Sequence, residues 1–167
     1  MDRRPIFAEP LTRESFAGFG DVIDADTDRH YPINDGKAER FHALARPEAA
    51  GPDGHVLISL VRGTPYAFPL RLAMVERHPF GSQAFVPLTP RPFVVVVCPD
   101  AKDGPGTPRA FLTRPGQGVN YARNLWHGVL TPLAEPQDFL VVDRGGAGSN
   151  LEEFHFSHPY EIRLPGA

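Results

Sequence analysis

Apolar residues along this chain fall in short runs, each closed by a turn-forming cluster. HVLISLVR (55–62), RLAMVER (71–77), SQAFVPL (82–88), FVVVVC (93–98), PRAFLT (108–113), GVNYAR (118–123) and DFLVV (138–142) have the length and residue types of strands. GTP, HPFG, TPRP, PDAKDGPGTP, RPGQG, PLAEPQ and RGGAG separate them. Such a succession predicts an all-β sandwich or barrel. FVVVVC does not alternate, which predicts a strand covered on both faces. One short helix is expected over PLTRESFAGFGD. There Thr12 can cap, Phe16 and Phe19 share a face, and Gly20 can end the element. Residues 25–54 are the least regular stretch and read as a long loop, a kind of segment that often carries function. The tail LEEFHFSHPYEIRLPGA reads as one or two edge segments.

Composition narrows this picture. The 167 residues suit one domain spanning 1–167, with a sizeable core. Proline, at 19 residues, is about twice its usual share of roughly 5%, which favours short strands over long helices. The net charge is −3 and no basic stripe is present, so nucleic acid is not an expected partner. No apolar run approaches the roughly 20 residues of a membrane helix. The start, MDRRPIFAEPL, has no apolar stretch behind its arginines and does not read as a secretory leader. The single cysteine, Cys98, cannot form an internal disulfide, which agrees with a cytoplasmic protein. Cys98 closes an apolar run and reads as a small buried hydrophobe.

The chemistry lies where strands carry polar residues. In MVERHPFGSQAFVPL (74–88), Glu76 and His78 stand two apart and share a strand face, with Arg77 opposite. Gln83 follows on the returning strand, and NLWHGVL adds His127. This arrangement resembles the cupin pattern of paired histidines and a glutamate, followed one hairpin later by a glycine and a final histidine. ERHPFGSQ holds the first position and GQGVNYARNLWHG the second. Glu76 replaces the first histidine and Gln83 replaces the glutamate. Glu76, His78 and His127 could hold a divalent ion, with Gln83 as a weak fourth ligand. The same groups could instead work without a metal, by hydrogen bonding and proton transfer.

Over most of its length the chain resembles the ureidoglycolate lyase family. The resemblance rests on INDGKAERFHALA (33–45), ISLVRGTP (58–65), ERHPFGSQAFVPL (76–88), FVVVV (93–97), GQGVNYARNLWHGVL (116–130) and DFLVVDRGG (138–146). It implies a cupin-type double-stranded β-helix, usually a homodimer, that splits (S)-ureidoglycolate into glyoxylate and urea in allantoin degradation. It also implies an association with nickel. The substrate is a hemiaminal. Its cleavage needs a base for the hydroxyl proton, an acid for the departing nitrogen and a cation for the carboxylate. Glu76, His78 and His127 are the acid/base candidates. Arg123 and Arg62 are the first choices for the carboxylate, followed by Arg40 and Arg77. Gln83, Asn120 or Asn124 could recognise the ureido group.

Plainer roles compete for several residues. Tyr121 is a candidate substrate contact, but like Trp126 it also suits a core aromatic. Arg77 suits a surface ion pair. Asn34 and His42 match the family, yet NDG is also a good turn. A partner subunit could present residues 33–45 to a pocket. His30, His55, His155 and His158 read as solvated. Two other functions fit the scaffold: an amidohydrolase releasing ammonia from ureidoglycolate, and a non-catalytic cupin that binds a small carboxylate.

Overall fold

The computed structural model describes residues 4–166, and among these it is all-β. Two main sheets carry the fold. The larger runs in the order Arg4–Phe7, Glu152–Arg163, Leu70–Arg77, Trp126–His127, Phe93–Cys98, Arg109–Leu112 and Glu9–Pro10, with Thr131–Pro132 also on Phe93–Cys98. The smaller runs Gly20–Ile23, Gly118–Tyr121, Gln83–Pro87, Gln137–Gly145 and His55–Gly63. The larger sheet curls into a nearly closed barrel shape, the cupin-type jelly roll that the family resemblance implies. Each of the seven strand patterns appears within a few residues of its expected bounds.

The run FVVVVC explains how the layers are held. Phe93, Val95 and Val97 face the space between the sheets, where Phe16, Phe85 and Phe139 meet them. Val94, Val96 and Cys98 face the other side of the larger sheet, against Leu72, Trp126 and Ile162. All six residues of the strand are buried, so neither face needs polar positions. Phe93 and Phe139 join the two sheets edge to face, with ring centroids 5.0 Å apart at 77°.

The expected N-terminal helix does not form. Phe16 N donates to Thr12 O, but the next bonds are shorter turns, Ala17 N to Glu14 O and Phe19 N to Phe16 O. Gly18 then takes a φ of 86°, which a right-handed helix cannot contain. One turn cannot repay the cost of helix nucleation, so the segment stays a string of turns. Phe16 and Phe19 still enter the core together. Gly20 opens a strand instead of ending a helix.

Two further segments differ from their expected form. Within 25–54, His30–Ile33 and Ala38–Phe41 pair as a largely exposed hairpin. Asn34, Asp35 and Gly36 make its turn, all at positive φ. The tail strand Glu152–Arg163 is not an edge along its whole length, because Tyr160 pairs with Leu72 on one side and with Arg4 on the other. One edge of the smaller sheet is His55–Gly63, which among the described residues pairs only with Gln137–Gly145. Among the described residues no helix is long and apolar enough to cross a membrane.

Candidate active site

Strand register assembles the site. His127 lies opposite Glu76 on one neighbour and opposite Val97 on the other, so all three share the inner face of the larger sheet. Trp126, one residue earlier, points the other way, opposite Cys98. On the smaller sheet Tyr121 lies opposite Gln83. The Tyr121 ring crosses the inter-sheet space and stacks on the His127 imidazole, centroids 4.4 Å apart and planes within 9°. His78 follows the end of the Leu70–Arg77 strand, and its ring centroid is 5.2 Å from that of His127.

Backbone carbonyls orient both imidazoles. His78 Nδ1 donates to Asn150 O and His127 Nδ1 to Gly128 O, each at 2.9 Å. A carbonyl only accepts, so the proton sits on Nδ1 and each Nε2 keeps its lone pair. Both Nε2 atoms are buried and have no hydrogen-bond partner among the described residues. Glu76 Oε1 lies 3.9 Å from His78 Nε2. One ligand atom from each of Glu76, His78 and His127 falls within 4.8 Å of the others. Two unpartnered imidazole nitrogens and a carboxylate, each ring held from behind by a carbonyl, fit a divalent metal ion.

Burial sets the charge states. It pulls the His127 imidazole down to about 4, with His78 adding to the effect and the Gly128 carbonyl opposing it. His127 is therefore neutral near pH 7. Burial raises the Glu76 carboxyl, Glu153 adds to that, and His78 works against it. Tyr121 is pushed up by burial and by the Glu76 carboxylate, so its hydroxyl stays protonated.

The model of the family described as Ureidoglycolate lyase matches residues 3–163. The chain belongs to the ureidoglycolate lyase family. It is 76% identical over 160 residues to the ureidoglycolate lyase of Mesorhizobium japonicum, covering 96% of this chain and 98% of that one. It is 64% identical to that of Chelativorans sp. strain BNC1, with 97% and 98% covered. Ureidoglycolate lyase 2 of Rhizobium meliloti is 56% identical, with 95% and 97% covered.

The residues expected from this lyase family do not all gather at the triad. Gln83 does lie beside Tyr121. Its Nε2 is 3.4 Å from Asp143 Oδ2, and its Oε1 is buried without a partner. Arg123 is anchored next to His78, its Nε donating to Pro79 O at 2.7 Å, while Asn124 N donates to His78 O. Arg62 lies elsewhere. It is on the exposed edge strand, held by two hydrogen bonds to Asp138 at 2.6 and 2.9 Å. Arg40 lies opposite Tyr31 on the largely exposed hairpin, which belongs to neither of the two main sheets. Asn120 faces opposite to Tyr121 on its strand and donates to Asp21. Arg77 pairs with Glu152 and covers the Trp126 ring at 4.3 Å, the surface role weighed for it.

Two residues beside the site escaped the sequence reading. Asp143 follows the apolar run DFLVV and precedes the turn cluster RGGAG, so no strand pattern singles it out. Asn150 acts on His78 through its backbone carbonyl, for which no side-chain pattern exists. Its own side chain accepts from Phe80 N and so pins the turn after His78.

Proposed function

We propose that this chain cleaves (S)-ureidoglycolate into glyoxylate and urea. The observation that carries this is the half-buried Glu76 and His78 beside the buried His127, with two imidazole lone pairs unpartnered among the described residues. Cleavage breaks the C–N bond, turns the hydroxyl oxygen into the aldehyde oxygen and moves one proton from that oxygen to the departing nitrogen. No water is consumed. One oxygen of the Glu76 carboxylate can take the hydroxyl proton and return it to the nitrogen, while one lies within 4.8 Å of the imidazole nitrogens. The Tyr121 hydroxyl stays protonated and offers a donor. Arg123, its Nε tied to Pro79 O, keeps its terminal nitrogens for the substrate carboxylate. We assign Glu76, His78 and His127 as ligands of a divalent ion, nickel by family resemblance. Such an ion would act as a Lewis acid that lowers the pKa of the substrate hydroxyl.

The test is to incubate the protein with racemic ureidoglycolate and quantify glyoxylate, urea and ammonia separately. Equal glyoxylate and urea from one enantiomer is the expected result. Ammonia would point to an amidohydrolase, and glyoxylate no faster than the spontaneous rate would leave a binding protein. Elemental analysis with exhaustive chelation tests the ion independently.

We also propose that the working form is a cytoplasmic homodimer joined along His55–Gly63. That strand has an unpaired edge and exposed apolar side chains, with Ile58 at 73% and Leu60 at 68% exposure. An antiparallel pair of copies centred on Ser59 would set Ile58 against Leu60 and Leu57 against Val61. The strand is thus complementary to itself.

A further inference from the structure

Gln83 sits in a row across the smaller sheet, with Tyr121 on one side and the Gln137–Gly145 strand on the other. Val142 lies opposite Ala84, so the next step of that register brings Asp143 across from Gln83. The two side chains meet, Gln83 Nε2 lying 3.4 Å from Asp143 Oδ2. A carboxylate oxygen accepts and does not donate. Asp143 therefore decides which end of the Gln83 amide turns toward it, and the carbonyl oxygen is left facing away. That oxygen is buried with no partner among the described residues, a costly state unless a ligand supplies a donor.

We propose that Asp143 is a positioning residue that holds the Gln83 carbonyl toward the reaction space. Gln83 Oε1 then selects a substrate with N–H donors at that place, the ureido end, over one that ends in a carboxylate. This rests on the lyase reading above. It adds the means by which an amide-ended 2-hydroxy acid is told from a 2-hydroxy diacid.

Two uncleavable probes differ only at that end. Malate and its β-amide replace the scissile nitrogen with CH₂, and one ends in carboxylate where the other ends in amide. The wild-type protein is expected to be inhibited at least about tenfold more tightly by the β-amide. Asp143→Asn places an amide that can donate to Gln83 Oε1 and turn Nε2 toward the substrate. It should bring the inhibition ratio to about one or reverse it, and raise KM for ureidoglycolate more than it lowers kcat. Asp143→Ser, which can also donate, serves if the asparagine variant does not fold. In a Gln83→Met background Asp143→Asn should leave the ratio where it is. A shift persisting there would mean that Asp143 acts by charge alone, which overturns the proposal. So would a wild type that cleaves ureidoglycolate without preferring the β-amide, or an unchanged ratio in Asp143→Asn. No cleavage of ureidoglycolate by the wild type would instead sink the lyase reading.

Discussion

His127 is neutral because the fold excludes water from it, and this leaves a mark on stability. Its folded value of about 4 lies below the ordinary 6.5. Between those two values the unfolded chain binds a proton that the native protein does not. Stability should therefore fall as pH drops from 6.5 towards 4, by up to about 3 kcal/mol from this residue. Glu76 acts in the opposite sense. Its raised carboxyl favours the proton in the native state, so its contribution is lost as pH rises through the carboxylate range. Urea unfolding of chelator-treated protein from pH 7 to 4 should show a shallower acid loss in His127→Gln than in wild type. An equally steep loss in both would refute the assignment. At this scale the sequence marked Glu76, His78, Gln83 and His127 because polar residues interrupt strands there. It did not mark Asn150, which works through its backbone, and it favoured Arg62, whose motif lies on an edge strand held by Asp138.

Elements were legible wherever burial imposed a pattern. Phe93–Cys98 is the plainest case, since a run without alternation needs two covers and has them. The hairpin in 25–54 was hidden because HYPI and AERF are mostly exposed, so no buried face imposed alternation on them. The N-terminal helix failed at its glycines. Gly20 has a φ of 146°, and a Cβ there would fall 1.9 Å from Asn120 O. That clash is with backbone and can be relieved only by opening the pairing of Gly20–Ile23 with Gly118–Tyr121. Gly20→Ala should thus cost about 3 kcal/mol or more in a denaturant titration. Gly36→Ala, at φ 81° with open space around it, should cost only about 1–2 kcal/mol. Equal losses at the two positions would contradict this account.

At the scale of the whole molecule the His55–Gly63 edge is the feature a lone chain leaves unresolved. A long apolar strand with unpaired backbone groups invites pairing. Ile58→Lys puts a charge on its most exposed apolar position and should convert a dimer into a monomer in sedimentation at micromolar concentration. A wild type that sediments as a monomer would remove the proposed interface. The sequence carried the strand but could not show its place at the edge, because partners in a sheet are set by long-range pairing.

The same pairing ties the chemistry to the packing on the far side of the larger sheet. Val96 belongs to the core on the other face of the larger sheet, yet its neighbour Val97 is registered against His127. The Phe93–Cys98 strand is a wall common to both cores, so neither can loosen alone. Melting should be a single event for the fold and the site. A methyl group shaved from the distant face would be felt as a slackened imidazole, and variation in a seemingly inert valine would be heard in turnover before it is seen in the fold.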